Sequence, residues 1–134
     1  MKGFVEDYID LRVPREGDIR TTISEIEYFS ELVAGSIIVP IGLKTDLGSI
    51  PKVLQGIFPK DGKATLAYIL HDYLYKVGKY DRHMCDAILE EAMETLNVDY
   101  LTRKAVRSGL YLGGWVAWNE HRKNDVEHEE ATYN

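Results

Sequence analysis

The sequence has one cysteine, Cys85, among 134 residues. A single thiol cannot close an internal disulfide, so the chain is no disulfide-braced scaffold, and a reduced compartment is the default expectation. Long apolar runs are missing too. None approaches the roughly 20 residues that a membrane-spanning helix requires, so no transmembrane segment is expected. The opening MKGFVEDYID lacks the apolar core of a secretory signal, and no signal peptide is expected. Basic residues are in short supply, 16 Lys and Arg against 22 Asp and Glu, for a net charge of −6. Nucleic-acid affinity comes chiefly from clustered Lys and Arg, so nucleic acid is not an expected partner. No histidine precedes His71 and there is no HExxH, which removes the usual zinc-protease signature and the upstream histidine of many metal-dependent phosphohydrolases. Repeats and low-complexity tracts are absent.

What is present changes character along the chain. Over residues 1–44 the apolar residues are mostly β-branched or aromatic and come in short bursts, FVEDYIDLRV, IRTTISEIEYFSEL and SIIVPIGLK, separated by turn formers at Pro14, Gly17 and Ala34-Gly35. That pattern predicts a small antiparallel sheet of three or four strands. Pro40 marks the last as an edge strand or a bulged one. Residues 45–62 hold two of the four prolines, Pro51 and Pro59, yet are too apolar for a linker. An ordered loop is expected there, with a helical turn at Lys52 to Ile57.

From residue 63 to 122 the period becomes helical. A first helix runs from about Lys63 to Val77 and stops at Gly78, with an apolar stripe of Leu66, Ile69, Leu70, Tyr73 and Leu74. A second starts behind Asp81 as N-cap, with Ile88, Leu89, Ala92, Met93 and Leu96 at helical spacing. A third opens near Asp99 and must bend, or let a neighbouring backbone approach closely, at Gly113-Gly114. The polar tail, 123–134, is expected to fray. The expected fold is therefore α+β in one domain: a small N-terminal antiparallel β-sheet, then a three-helix C-terminal half containing an antiparallel helix pair.

Within the first helix, ATLAYILHDYLYKVGKYD places His71 and Asp72 where apolar residues are being buried. Burying an unpartnered carboxylate costs several kcal/mol, roughly, so such groups need partners, solvent or a cation. The short Gly78 to Tyr80 connection makes helices one and two antiparallel neighbours, which lets His71 face Asp86. A histidine held by a carboxylate is the arrangement of a general base, one ring nitrogen oriented and the other taking a proton from water. Asp72 points elsewhere, and with Asp46 of the irregular loop and the carbonyls of Leu47-Gly48 it would supply hard oxygens. That set suits calcium better than zinc. Each element also has a plainer reading. His71 and Asp86 can be a structural hydrogen-bonded pair, Asp46 can cap a turn, and Asp86 can pair with Arg82 on its own helix. Tyr68, Tyr73 and Tyr75 can be core.

The succession TDLGSIP, HDYLY and RHMCD resembles an uncharacterised domain family common in tailed phages and prophages. That resemblance spans most of the chain and implies a phage or prophage setting without an activity. A more distant resemblance is to the bacterial secreted phospholipases A-two, over roughly residues 45 to 95. There Asp46 and the Leu47 carbonyl match the calcium loop, His71 and Asp72 the His-Asp pair, Tyr75 the tyrosine three residues on, and Asp86 the second-helix carboxylate. This resemblance implies that His71 activates water, Asp86 orients it, and calcium on Asp46, Leu47 and Asp72 polarises an ester carbonyl. Tyr75 and Ser49 count as supporting residues. The chain departs from those enzymes in lacking their disulfides, in Gly48 standing for their loop cysteine and Leu47 for their glycine, and in its N-terminal sheet. Two functions are thus expected to compete. One is a calcium-dependent, phospholipase-like hydrolase of a lipid or other ester. The other is a non-catalytic phage accessory or virion-associated (tail) protein that binds a host or phage protein, through an exposed apolar patch such as one around Trp115 and Trp118. The expected location is the host cytoplasm or the virion.

Overall fold

The computed structural model describes residues 1–46 and 62–133, with side chains described only up to residue 125. Six strands come first: β1 (Gly3–Phe4), β2 (Leu11–Arg12), β3 (Arg20–Thr22), β4 (Ile26–Ser30), β5 (Gly35–Val39) and β6 (Lys44–Thr45). Among the described residues four helices follow: α1 (Thr65–Val77), α2 (Arg82–Thr95), α3 (Tyr100–Gly113) and α4 (Trp115–Tyr133). The fold class is α+β, with both sheets in the N-terminal half and the helices in the C-terminal half.

The strands form two antiparallel sheets of three, ordered β1-β4-β5 and β2-β3-β6, rather than the one sheet expected. The reason lies at residues 23–25, where the run from Ile19 to Leu32 bends, the Ile23 N–H bonds the Asp10 carbonyl, and the chain leaves one sheet for the other. The larger sheet follows from strict alternation: Ile26, Tyr28, Ile37 and Val39 are buried, with Ile26 opposite Val39 and Tyr28 opposite Ile37. β5 is an edge strand ended by Pro40, whose carbonyl accepts from the buried Thr22 hydroxyl at 2.8 Å. Tyr28 ties this sheet to α2 by donating to Glu91 Oε1 at 2.7 Å, and the other Glu91 oxygen accepts from the Leu32 N–H at 3.3 Å. A carboxylate that is 8% exposed is thereby held by two donors.

The helix termini obey local rules. Gly78 closes α1 in the left-handed conformation at φ 68°, its N–H bonded to the Leu74 carbonyl. Asp81 and Asp99 cap α2 and α3 by accepting from the N–H groups of Met84 and Thr102. Three expectations change. The third helix is divided at Gly113-Gly114 into α3 and α4. The tail that was expected to fray continues as helix to Tyr133, because KNDVEHEEATY contains neither Gly nor Pro to stop it. Finally, α1 is not merely striped: Thr65 to Asp72, Leu74 and Tyr75 are all buried, because α2 and α4 both pack on it.

Candidate functional site

The connection Gly78–Asp81 is too short to let α1 and α2 separate, so they lie side by side and antiparallel. His71, two turns before the end of α1, then meets Asp86, which enters just over a turn into α2. The His71 Nε2 to Asp86 Oδ1 distance is 2.7 Å, with the side chains 0% and 2% exposed. The same oxygen accepts a second bond, from the Tyr75 hydroxyl at 2.6 Å. Arg82 Nη1 stands 3.8 Å from the other oxygen. His71 and Tyr75 are one turn apart on one face of α1, their rings 4.2 Å between centroids, and Trp118 of α4 meets Tyr75 edge-on at 5.4 Å. Burial, then the negative charge of Asp86, pushes the Tyr75 phenol well above its ordinary pKa, so it remains a donor. An ionised Asp86 carboxylate can only accept, so in this contact the His71 Nε2–H donates.

This centre sets the close approach at Gly114. A Cβ built there falls 2.8 Å from the Tyr75 hydroxyl oxygen and 2.8 Å from the Leu110 carbonyl. Gly114 has ordinary right-handed helical angles, so space and not backbone freedom demands glycine. We expect Gly114→Ala to cost about 1–3 kcal/mol in denaturant unfolding. An unchanged midpoint would mean that Tyr75 can retreat without loosening Asp86.

The residues expected at a cation site are placed unevenly. Asp72 is 2% exposed, and its Oδ2 atom is buried with no hydrogen-bond partner among the described residues, the nearest cation being Lys76 Nζ at 3.6 Å. Lys76 also donates to the Lys44 carbonyl of β6. Further along the same face of α1, Thr65 and Ile69 line a narrow cleft with Thr45 and Asp46. Asp72 falls between these two contacts at helical spacing, so it lies on the face of α1 turned toward β6, and the exposed Asp46 follows that strand directly. Leu47, Ser49 and the turn expected at 52–57 lie outside the described residues. Among the described residues no three His, Cys, Asp or Glu side chains gather as a metal cluster. Asp72, whose Oδ2 lacks a hydrogen-bond partner among the described residues but lies 3.6 Å from the Lys76 ammonium, is a hard oxygen donor that suits calcium rather than zinc.

Two neighbours of the site, Arg122 and His121, were not anticipated, and a third, Arg82, was expected only as a partner of Asp86. Arg122 donates to the Tyr75 and Lys76 carbonyls at 2.8 and 3.0 Å, satisfying the end of α1, while its guanidinium lies 4.5 Å above the Trp118 ring. Arg82 donates to the Leu110 carbonyl at 3.0 Å. His121 faces Asp72 and Lys76, and burial lowers its pKa below the ordinary value, although Asp72 opposes this. The only local hint was the run His121-Arg122-Lys123. Nothing near it in sequence says that it folds back onto α1.

Compared with family models, residues 21–109 match the family described as Protein of unknown function (DUF1353), a span that includes His71, Asp72, Tyr75 and Asp86. No curated protein and no solved structure matches the chain.

Proposed function

Because the chain belongs to the DUF1353 family, whose description names no activity, we propose a function from its buried polar centre: a phospholipase-A-two-like, calcium-dependent hydrolase of a lipid or other ester, encoded by a phage or prophage. The observation that carries this reading is the 2.7 Å contact from His71 Nε2 to Asp86 Oδ1. Asp86 holds the imidazole in one tautomer, and His71 Nδ1 takes the proton of the attacking water. Tyr75 supports the dyad by its bond to the same carboxylate oxygen. Asp46, Asp72 and the Leu47 carbonyl are the residues that would hold calcium, with Ser49 supporting the loop, and the ion's chemistry would be Lewis-acid polarisation of the ester carbonyl.

The test is fatty-acid release from phosphatidylcholine vesicles by the full chain at millimolar calcium, paired with thermal melting. Activity should need calcium. Calcium should also raise the melting temperature by binding the native state, and Asp72→Asn should abolish that rise. Absence of hydrolysis and of any calcium shift would overturn the reading.

A second reading, a non-catalytic accessory or virion-associated protein that binds a host or phage protein, is favoured by two observations. His71 is 0% exposed, so catalysis requires a displacement that opens it to substrate. And the α3–α4 surface shows Leu101, Tyr111, Leu112, Trp115 and Val116, each more than half exposed, to solvent. Trp118 is not part of this patch, because it packs against the core at Tyr75.

A further inference from the structure

A second cavity, unused by the centre described above, lies between the N-terminal ends of α1 and α3. It encloses about 310 Å³, at the small end of the range for pockets that hold small molecules. Ala64, Val98 and the Tyr68 ring make apolar walls, and Lys63, Asp99 and Thr102 stand around them. Tyr68 is 2% exposed, yet its hydroxyl is buried with no hydrogen-bond partner among the described residues. Buried polar atoms in native proteins are almost always paired, so this phenol is a donor awaiting an acceptor. Burial pushes its pKa up to about 12, which keeps the proton on it.

The electrostatics at the same wall favour an anion. Ala64 caps α1 without a side-chain acceptor and the first turn carries no acid, so the positive end of the helix meets no negative side chain of its own, although the Thr65 N–H already bonds the Gly62 carbonyl at 3.1 Å. The Lys63 ammonium adds a full charge beside that end. Across the cavity, Asp99 commits both carboxylate oxygens to Thr102, accepting from its N–H at 3.0 Å and its hydroxyl at 2.6 Å.

We propose that this cavity binds a small amphiphilic carboxylate. Its apolar body lies against Ala64, Val98 and the Tyr68 ring, and its carboxylate accepts from the Tyr68 hydroxyl near Lys63 and the start of α1. A monoanion is favoured over a phosphate dianion. One ammonium and one hydroxyl match a single charge, and the Asp99 carboxylate opposite would repel a second. The site uses neither His71, Asp72 nor Asp86, so it stands or falls apart from the hydrolase reading.

Titration of the isotope-labelled full chain with hexanoate, followed by amide chemical shifts, tests it. Saturable shifts are expected at residues 63–68 and 98–102, and hexanol, which has the same chain without the charge, should bind about tenfold more weakly or worse. Tyr68→Phe and Lys63→Ala should each weaken hexanoate about three- to tenfold. Tyr68→Phe removes a hydroxyl that bonds nothing among the described residues, so its melting temperature should stay within a few degrees of the parent, which keeps the comparison interpretable. No saturable shifts at tens of millimolar, shifts mapping elsewhere, equal binding of hexanol, or full binding by both variants would each overturn the assignment.

Discussion

Replacing His71 with glutamine is expected to lower ester hydrolysis by about two to four orders of magnitude, the usual contribution of a positioned general base. Glutamine is close in size and presents an amide N–H where the imidazole offers Nε2–H, so the bond to Asp86 Oδ1, now 2.7 Å, can be kept. What the substitution removes is the basic lone pair. The comparison therefore separates chemistry from architecture: hydrolysis and thermal melting are measured on both proteins. A large fall in rate with a nearly unchanged melt is the result that supports catalysis. A rate that does not change would remove His71 from any mechanism. A parent protein that releases nothing, with a variant that only melts lower by about 1–3 kcal/mol from an imperfectly satisfied carboxylate, would leave the dyad as structure and the binding reading in possession.

Asp86→Ala is expected to be the most destabilising single change in the site, at about 3–5 kcal/mol, which corresponds to a fall of about 10–20 °C in melting temperature for a domain of this size. The carboxylate is 2% exposed and gathers His71, Tyr75 and, more distantly, Arg82. Removing it leaves a phenol and an imidazole N–H buried without acceptors and a partly buried guanidinium without its counter-charge. Asp86→Asn should cost less than half as much, because the His71 and Tyr75 bonds converge on one oxygen, which an amide retains. Denaturant unfolding of the three proteins decides the matter. Equal losses for Asn and Ala would show that charge, and not the shared acceptor, holds the centre together.

Part of this centre was legible because its geometry is local. His71 and Asp86 are 15 residues apart on two helices joined by a tight turn, and once Gly78 and Asp81 mark that turn, helical spacing nearly dictates the meeting. The partners that complete it were not legible. Arg122 reaches the Tyr75 and Lys76 carbonyls from 47 and 46 residues away, and Tyr28 reaches Glu91 across 63. Contacts at such separations leave no period in the sequence, since any exposed-looking Arg or Glu carries the same local signal. Asp72 illustrates the boundary from the other side. Its burial beside His71 could be read from the surrounding apolar residues, but that its Oδ2 would lack a hydrogen-bond partner 3.6 Å from Lys76 depends on where β6 crosses α1.

By itself the sequence determined the α+β class, the starts of α2 and α3 at their aspartate caps, the stop of α1 at Gly78, and that the strand before Pro40 is either an edge or bulged. These are settled by backbone conformational limits, hydrogen-bonding needs at helix ends and hydrophobic periodicity, all of which act within a few residues. Only the tertiary structure decided that the strands divide into two sheets at Ile23–Glu25, that Gly113-Gly114 separates two helices instead of bending one, and that α1 is covered on nearly every side. Each of those outcomes is a choice between locally acceptable conformations. Burial makes the choice, because Gly114 must make room for Tyr75, and the apolar and polar faces of α1 can both be satisfied only when α2 and α4 close over them.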